Sequence, residues 1–192
     1  MTDRNQRVGV LGIQGDIEKH LAALDRLGAD GRRVLRPGDL DGLDALILPG
    51  GESTTISKGL IRHELMKPIQ EFAESGRAVL GTCAGAILLA RASHNHPVPT
   101  LGLVDVEARR NAYGTQLDSF VAPADADSAP DLAGLTCVFI RAPRLEEPGP
   151  GVEVLARVDG APVLVREGRR FACTFHPELT EDLRVHALLL RE

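Results

Sequence analysis

Short apolar runs alternate with amphipathic segments along the first half of the chain, and this alternation restricts the possible folds more than any other feature. Residues 8–13 and 45–48 are apolar runs with the length of buried strands, while Ile17, Leu21 and Leu24 recur at helical spacing. Apolar strands separated by amphipathic helices are typical of a parallel sheet that is covered on both faces. The pattern predicts an α/β fold of three layers, with a largely parallel central sheet and helices on both faces.

Residue types at the ends of these segments predict where the helices begin and end. Asp16 is a candidate N-cap for the first helix, and Gly28 is placed to end it. After the turn at residues 49–51, either Ser53 or Thr54 could cap the next helix, because hydroxyl side chains accept hydrogen bonds from free N–H groups of a first turn.

The second half of the chain is dominated by predicted strands. They cover residues 104–108, 136–140, 152–158, 162–165 and 171–175, and a helix is expected at 185–190. Strands without intervening helices favour antiparallel additions to the sheet in this C-terminal half. Residues 142–151 are rich in Pro, Gly and Glu and predict a mobile loop, not a linker between domains, so we expect a single domain over residues 1–192.

Composition excludes several functional classes. The chain has 192 residues, 43% of them hydrophobic, a net charge of −5 and no basic run, so neither nucleic acid nor a membrane is expected as a partner. Three cysteines without C-x-x-C spacing argue against a disulfide framework and against a zinc site. The first ten residues lack the apolar core of a signal peptide, and no apolar run reaches membrane-spanning length. A cytoplasmic location is the expectation.

Residues 81–85, with the sequence GTCAG, place Cys83 between two glycines. In the related G-x-S-x-G elbow the nucleophile occupies a tight strand-to-helix turn, where a Cβ on the flanking residues would clash. An apolar strand ending at residue 80 and an apolar helix from residue 86 fit that context. A cysteine at a helix N-terminus is favoured as the thiolate, which is its reactive form. Alternatively, Cys83 could be an inert buried thiol.

A general base is expected near the other end of the chain. His176 is followed two residues later by Glu178, and alternate residues of an extended segment point to the same side. Imidazole has a pKa near working pH, and a carboxylate can orient it. Cys83, His176 and Glu178 together therefore predict a cysteine-nucleophile triad.

Attack on an acyl or amide carbon produces an oxyanion that backbone N–H groups can stabilise. The N–H of Ala84, directly after the nucleophile, is one predicted donor. Paired glycines at Gly50 and Gly51 let the main chain approach a ligand closely, and we nominate Gly51 N–H as the second donor. On its own, the Gly50-Gly51 pair is also consistent with an ordinary turn.

The remaining histidines and cysteines predict no further chemistry. His94 and His96 have the spacing of a metal-ligand pair but lack a third ligand, so a solvated loop is expected and no metal is assigned. Histidines in helical segments among charged residues are expected on solvated faces: His20, His63 and His186. The remaining thiols in strand runs are expected in the core: Cys137 and Cys173.

Six segments resemble one known family along nearly the whole chain: the class I, triad-type glutamine amidotransferases and, within them, the glutaminase subunits of pyridoxal 5′-phosphate synthase. Residues 81–85 and 175–180 indicate a triad glutaminase in general. Residues 9–15 (GVLGIQG) also match the family, and the segments that single out the subfamily lie within residues 49–55 (PGGESTT), 110–114 (RNAYG) and 139–143 (FIRAP). The resemblance implies a flavodoxin-like, class I amidotransferase-like fold.

The resemblance also implies the reaction and the partner. Cys83 would attack the side-chain amide of L-glutamine, release ammonia and form a glutamyl thioester, without any cofactor. The ammonia would pass to a TIM-barrel synthase subunit that makes pyridoxal 5′-phosphate, and Gln14 and Gly15 resemble the segment that senses docking. The implied substrate-binding residues are Gly51, Glu52, Ser53, Arg110, Ile140 and Arg141. Because Arg109 is adjacent to Arg110, the assignment of that arginine is ambiguous by one position.

Two other functions remain open from the sequence. The chain could be a stand-alone cysteine hydrolase built on the same turn, such as a γ-glutamyl peptidase. It could also be a catalytically silent module that only scaffolds a synthase, although the intact triad residues argue against this.

Overall fold

The computed structural model describes residues 5–110, 119–126 and 128–191, so four residues of the RNAYG segment, 111–114, lie outside it. The helices are α1 (Ile17–Arg26), α2 (Ser53–Arg62), α3 (Met66–Glu74), α4 (Ala84–Leu89) and α5 (Arg184–Ala187), with 3-10 turns at Pro37–Leu40, Pro130–Leu132, Pro177–Leu179 and Leu188–Leu190. The strands are β1 (Arg7–Leu11), β2 (Asp30–Val34), β3 (Ala45–Leu48), β4 (Ala78–Thr82), β5 (Ala90–His94), β6 (Val104–Arg109), β7 (Ser119–Pro123), β8 (Thr136–Ile140), β9 (Arg144–Glu146), β10 (Glu153–Val158), β11 (Ala161–Glu167) and β12 (Arg170–Cys173).

A seven-stranded sheet forms the centre, in the order β10-β11-β12-β4-β3-β1-β2. The five strands from β12 to β2 run parallel, and β10 and β11 extend that sheet by antiparallel pairing. This confirms the predicted α/β fold with antiparallel additions from the C-terminal half. Within the described ranges, no helix combines the length and the apolar character needed to cross a membrane.

Alternating side chains of the central strands fill two separate cores. Val10 and Ile47 pack on one side together with Leu24 of α1 and with α5. Leu46 and Leu48 pack on the other side with α2, α3 and α4. Strands that bury both faces need apolar residues at every position, which explains their continuous apolar runs. The helices therefore cover both faces of the sheet, as predicted.

Two smaller sheets lie outside the central one, and here the prediction was incomplete. Strands β5, β6 and β9 form one of them, and β7 pairs with β8 in the other. The predicted strands 104–108 and 136–140 therefore exist but do not extend the central sheet. The predicted loop at residues 142–151 contains strand β9, whose Arg144 pairs with Arg109 of β6.

The predicted helix caps were partly wrong. Asp16 occupies the N-cap position of α1 without a side-chain cap hydrogen bond. The N-cap of α2 is Glu52, not Ser53 or Thr54, because its longer side chain accepts hydrogen bonds from two backbone N–H groups of the first turn. The predicted helix at 185–190 consists of α5 followed by the 3-10 turn Leu188–Leu190.

Candidate active site

The candidate site lies where neighbouring parallel strands end at the same edge of the sheet. The turn containing Gly50 follows β3, Cys83 follows β4, and His176 follows β12. Register aligns these ends, since Leu48 lies beside Gly81 and Cys173 beside Thr82. Ligands bind at the carboxyl edge of open α/β sheets for this topological reason.

Cys83 occupies the strained turn that the sequence predicted. Its φ is 48°, a left-handed value that is rare for a residue with a side chain and that marks functional turns. A Cβ on Gly81 would lie 2.5 Å from the Gly85 backbone, and one on Gly85 would collide with the Leu48 carbonyl. Both glycines are therefore sterically required. Cys83 N–H donates to the Cys173 carbonyl at 2.8 Å, which ties the turn to β12.

His176 and Glu178 meet as the sequence predicted. Nδ1 of His176 lies 2.7 Å from Oε1 of Glu178, in a hydrogen bond shielded from solvent. The N–H of His176 donates to the Val138 carbonyl at 2.8 Å, which fixes its backbone against β8. With Nδ1 engaged by the carboxylate, Nε2 is the ring nitrogen left to exchange a proton with Cys83.

The contacts around His176 and Glu178 favour the charged form of both side chains. Burial opposes a charge on His176, but hydrogen bonding to Cys83 and to Glu178 outweighs it and raises the pKa of His176 to about 10. Burial likewise opposes ionisation of Glu178, yet its hydrogen bond with His176 outweighs this and lowers the pKa of Glu178. A cysteine next to an imidazolium that a carboxylate holds in place is an arrangement that favours its reactive form.

The turn after β3 packs directly on the Cys–His pair. A Cβ on Gly50 would lie 2.5 Å from Cε1 of His176 and 3.4 Å from Cβ of Cys83. Gly51 has a φ of 143°, which is favourable only for glycine. The N–H of Glu52 donates to the side-chain oxygen of Gln14 at 2.9 Å, so Gln14 tethers the turn to the segment after β1.

A cavity of about 470 Å³ opens above Cys83. Its lining includes every predicted catalytic, oxyanion-hole and substrate-binding residue except Glu178, which is buried behind His176. The lining residues are Gln14, Gly51, Glu52, Ser53, Cys83, Ala84, Ile87, Arg110, Ile140, Arg141, Pro143 and His176.

One wall of the cavity carries an anion and a cation in contact. Both oxygens of Glu52 accept hydrogen bonds from the start of α2: Oε1 lies 2.9 Å from Thr54 N, and Oε2 lies 2.7 Å from Thr55 N. Burial opposes this charge, but the hydrogen bonds outweigh it and lower the pKa of Glu52 to about 2. Nη2 of Arg110 lies 3.3 Å from the same carboxylate.

Of the two adjacent arginines, Arg110 lines the cavity and Arg109 does not. Arg109 forms an ion pair with Glu146 on β9 at 3.0 Å. Arg110 reaches the cavity instead, and only 14% of its side chain is exposed.

The end of β8 supplies another part of the cavity wall. The carbonyl oxygen of Ile140 lies 3.9 Å from Sγ of Cys83. Arg141 follows with a φ of 44°, a backbone conformation that needs a structural or functional reason in a residue with a side chain. The FIRAP segment thus turns sharply beside the nucleophile.

Sequence reasoning missed several residues of the site. Ile87 and Pro143 line the cavity, and Gln14 was assigned to docking alone. His20 and His186 were expected on solvated faces, but both are completely buried, so that expectation was wrong. A signal was present for His20, because it lies three residues after Ile17 and four before Leu24, on the apolar stripe of α1.

Other candidate groups lie away from the cavity. His94 lies 2.7 Å from a carboxylate oxygen of Glu107. The described residues include no group of three or more His, Cys, Asp or Glu arranged to hold a metal ion. Cys137 and Cys173 are buried in the core as predicted, and burial raises the pKa of both thiols.

Comparison with known proteins identifies the family of this chain. The sequence model of the SNO glutamine amidotransferase family matches residues 10–192. Two similar relatives are the pyridoxal 5′-phosphate synthase subunits PdxT of Shouchella clausii, 43% identical over 96% of this chain and 94% of the relative, and of a Parafrankia strain, 48% identical over 96% and 91%. A crystal structure described as a glutamine amidotransferase is 46% identical, has a TM-score of 0.89 and covers 95% of this chain and 96% of its own. The chain therefore belongs to the SNO glutamine amidotransferase family.

Proposed function

We propose that this chain is the glutaminase subunit of a pyridoxal 5′-phosphate synthase, which hydrolyses L-glutamine to L-glutamate and ammonia with Cys83 as the nucleophile. The observation that carries the proposal is that one cavity brings Cys83 and His176 together with Arg110, Arg141 and the ionised Glu52. Similarity to PdxT subunits over nearly the whole chain supports the assignment to that synthase.

The cavity suits a small zwitterionic substrate. Arg110 and Arg141 are candidates for the α-carboxylate, since a guanidinium can form two parallel hydrogen bonds with it. Glu52 provides negative charge for the α-ammonium group, while Ser53 and the backbone at Ile140 offer further polar contacts. The side-chain amide then reaches Cys83 at the base of the cavity.

In the first step the Cys83 thiolate attacks the amide carbon of glutamine and forms a tetrahedral oxyanion. The N–H groups of Gly51 and Ala84 stabilise this oxyanion. His176, as the imidazolium, donates its proton to the amide nitrogen, the C–N bond breaks, and ammonia leaves a γ-glutamyl thioester on Cys83.

In the second step the now neutral His176 takes a proton from water, and the resulting hydroxide attacks the thioester carbon. The C–S bond breaks, glutamate leaves, and the thiolate–imidazolium pair is restored. Glu178 keeps the imidazole in one orientation through both steps, because its Oε1 accepts the Nδ1 proton throughout.

Ammonia is the useful product, and its chemistry favours a partner. At neutral pH free ammonia is mostly protonated and is then a poor nucleophile. Direct transfer to a synthase subunit of the TIM-barrel type preserves the reactive form.

Ammonia release from L-glutamine, measured for the chain alone and with a synthase subunit, tests the proposal. We expect low activity that rises when the synthase is added. Cys83→Ala removes the nucleophile and is expected to abolish release in both conditions while leaving the fold and docking intact. Turnover by Cys83→Ala close to that of the unmodified chain would remove Cys83 from its role.

The same assay separates the alternatives. A stand-alone cysteine hydrolase would show full activity without the synthase and no response to its addition. A silent scaffold would bind the synthase but release no ammonia in either condition.

A further inference from the structure

Two completely buried histidines lie behind the carboxylate of the triad. Nε2 of His20, on α1, is 3.5 Å from Oε2 of Glu178. Nδ1 of His20 is 2.9 Å from Nε2 of His186, on α5. The chain of polar side chains that starts at Cys83 and His176 therefore continues past Glu178 into the core.

The positions of the protons follow from these contacts. Oε1 of Glu178 is occupied by His176, whereas Oε2 is buried and has no hydrogen bond within the described part of the chain. If His20 carried its proton on Nδ1, the lone pair of Nε2 would face this anionic oxygen, which is repulsive. With the proton on Nε2, His20 can donate toward Oε2, and its bare Nδ1 accepts from Nε2–H of His186.

Both imidazoles are neutral in this arrangement. Burial lowers the pKa of His20, and burial together with the nearby His20 lowers the pKa of His186 to about 4. The second nitrogen of His186, Nδ1, is buried without a hydrogen bond to the described residues, as suits a bare nitrogen better than an N–H. Titratable or polar groups that face the pair and Glu178 from neighbouring elements are Asp16, Thr82, Cys173 and His176.

We propose that His20 is a positioning residue for the triad, which presents its Nε2–H to Oε2 of Glu178 and is fixed in that tautomer by His186. The proposal rests on the proposed function only for its effect on turnover. His20 is absent from the cavity lining, so it acts through Glu178 and not on the substrate.

This contact explains how a carboxylate can remain ionised and aligned at a site closed to water. A buried carboxylate with only one hydrogen-bonded oxygen would be poorly compensated. A donor at the second oxygen restrains rotation of the carboxylate and thereby keeps Oε1 directed at Nδ1 of His176. A competing acceptor for the same N–H is Oγ1 of Thr82, 3.4 Å from Nε2 of His20.

The kinetic test uses His20→Leu, His20→Gln and, as a control, His63→Leu at an exposed position, each assayed with the synthase subunit. Leucine removes the donor, so we expect kcat to fall about ten- to hundredfold with little change in KM. The acid limb of the kcat profile should also move to higher pH, because Glu178 loses a donor to its ionised form. Glutamine carries an N–H near the position of Nε2, so His20→Gln should restore both kcat and the position of the acid limb. His63→Leu should match the unmodified chain.

A second measurement does not depend on activity. Nitrogen-15 NMR of the histidine rings in the unmodified chain should show the proton on Nε2 of both His20 and His186, and His20→Leu should shift the Nδ1–H signal of His176. A proton on Nδ1 of His20 would overturn the proposal, as would a folded His20→Leu protein with unchanged kcat and pH profile. If the unmodified chain with synthase releases no ammonia, the proposed function fails, and the NMR result alone decides the role of His20.

Discussion

Oε1 of Glu178 is hydrogen-bonded to His176 and Oε2 faces Nε2 of His20 at 3.5 Å, so an isosteric change at this position acts on both sides of the carboxylate. In Glu178→Gln the amide oxygen can still accept from Nδ1 of His176, but the amide NH₂ would then face Nε2–H of His20, so that two donors oppose each other. The neutral amide also stabilises the imidazolium of His176 less than a carboxylate does.

We therefore expect Glu178→Gln to lower kcat by roughly 10²- to 10⁴-fold without abolishing turnover, since Cys83 and His176 remain. Steady-state ammonia release with the synthase subunit measures the loss. An unchanged rate would show that Glu178 has only a structural role.

Gly50 provides a steric test of the same site. A Cβ at this position would lie 2.5 Å from Cε1 of His176, whose ring cannot retreat without losing its hydrogen bond to Glu178. Gly50→Ala should displace the ring and lower kcat by about a hundredfold, the usual penalty for a shift of about 1 Å at a reacting group.

The matched control is Gly38→Ala, because a Cβ there meets no described atom within 4 Å. Assays of kcat together with thermal unfolding should separate the two variants: both remain folded, and only Gly50→Ala loses turnover. Equal activity of the two would mean that the turn after β3 does not contact His176 in the working enzyme.

A site residue could be predicted from the sequence when its neighbours along the chain determine its position, and not when its position depends on contacts distant in sequence. That Cys83, His176 and Glu178 lie together could be predicted because their local sequence carries the geometric requirement, such as the glycines that the turn needs on either side of Cys83. Ile87 enters the cavity only through the packing of α4 beside two other loops, and a single sequence does not specify such packing. His20 was misjudged because charged neighbours outweighed its position on an apolar stripe.

At the scale of elements, strand positions were predicted well and helix starts less well. Strand β3 has the predicted bounds because all four of its residues are buried, and a buried strand needs an uninterrupted apolar run. Strand β8 also has the predicted bounds, although only Cys137 and Phe139 of its five residues are buried. The cap of α2 was predicted at Ser53 or Thr54 but is Glu52, a residue type that seldom caps a helix through its own side chain. The two small sheets could not be predicted, since strand pairing depends on contacts distant in sequence.

The cap of α2 is also part of the cavity wall, so its loss should affect both stability and turnover. Glu52→Ala removes the acceptors for Thr54 N–H and Thr55 N–H and should lower the free energy of unfolding by about 1 kcal/mol. It also removes the partner of Arg110, and kcat/KM for glutamine should fall.

Asp16→Ala is the matched control, since Asp16 holds the same position at α1 without a cap hydrogen bond. Urea unfolding of both variants is expected to show a loss for Glu52→Ala and less than about 0.5 kcal/mol for Asp16→Ala. Equal losses would mean that the Glu52 hydrogen bonds add nothing to the stability of α2.

At the scale of the whole molecule, the fold connects catalysis with acid stability. The site needs loops from several parallel strands to meet at one sheet edge, with α1 and α5 closing the space beneath them. That space holds His20 and His186 away from water, where protonation is unfavourable. Acid should therefore unfold the chain through the same two histidines for which we propose a role in supporting the triad.

The sign of this effect follows from proton uptake. The pKa of His186 is about 4 in the folded chain and about 6.5 when unfolded, so between these values the unfolded chain binds more protons and stability falls as pH falls. His186 alone contributes on the order of 3 kcal/mol to this loss. His176 adds little toward the acid end of this window, because it is then charged in both the folded and the unfolded chain, and near pH 6.5 it acts in the opposite direction, since its pKa is raised on folding.

His186→Gln keeps a donor for Nδ1 of His20 but cannot take up a proton. Urea unfolding at several pH values between about 6.5 and 4 should therefore give a shallower decline in the free energy of unfolding than in the unmodified chain. Some decline should remain, because His20 is buried and titrates in the same direction. His63→Gln, at an exposed position, should reproduce the unmodified slope. An identical slope in His186→Gln would show that protonation of His186 does not drive acid unfolding.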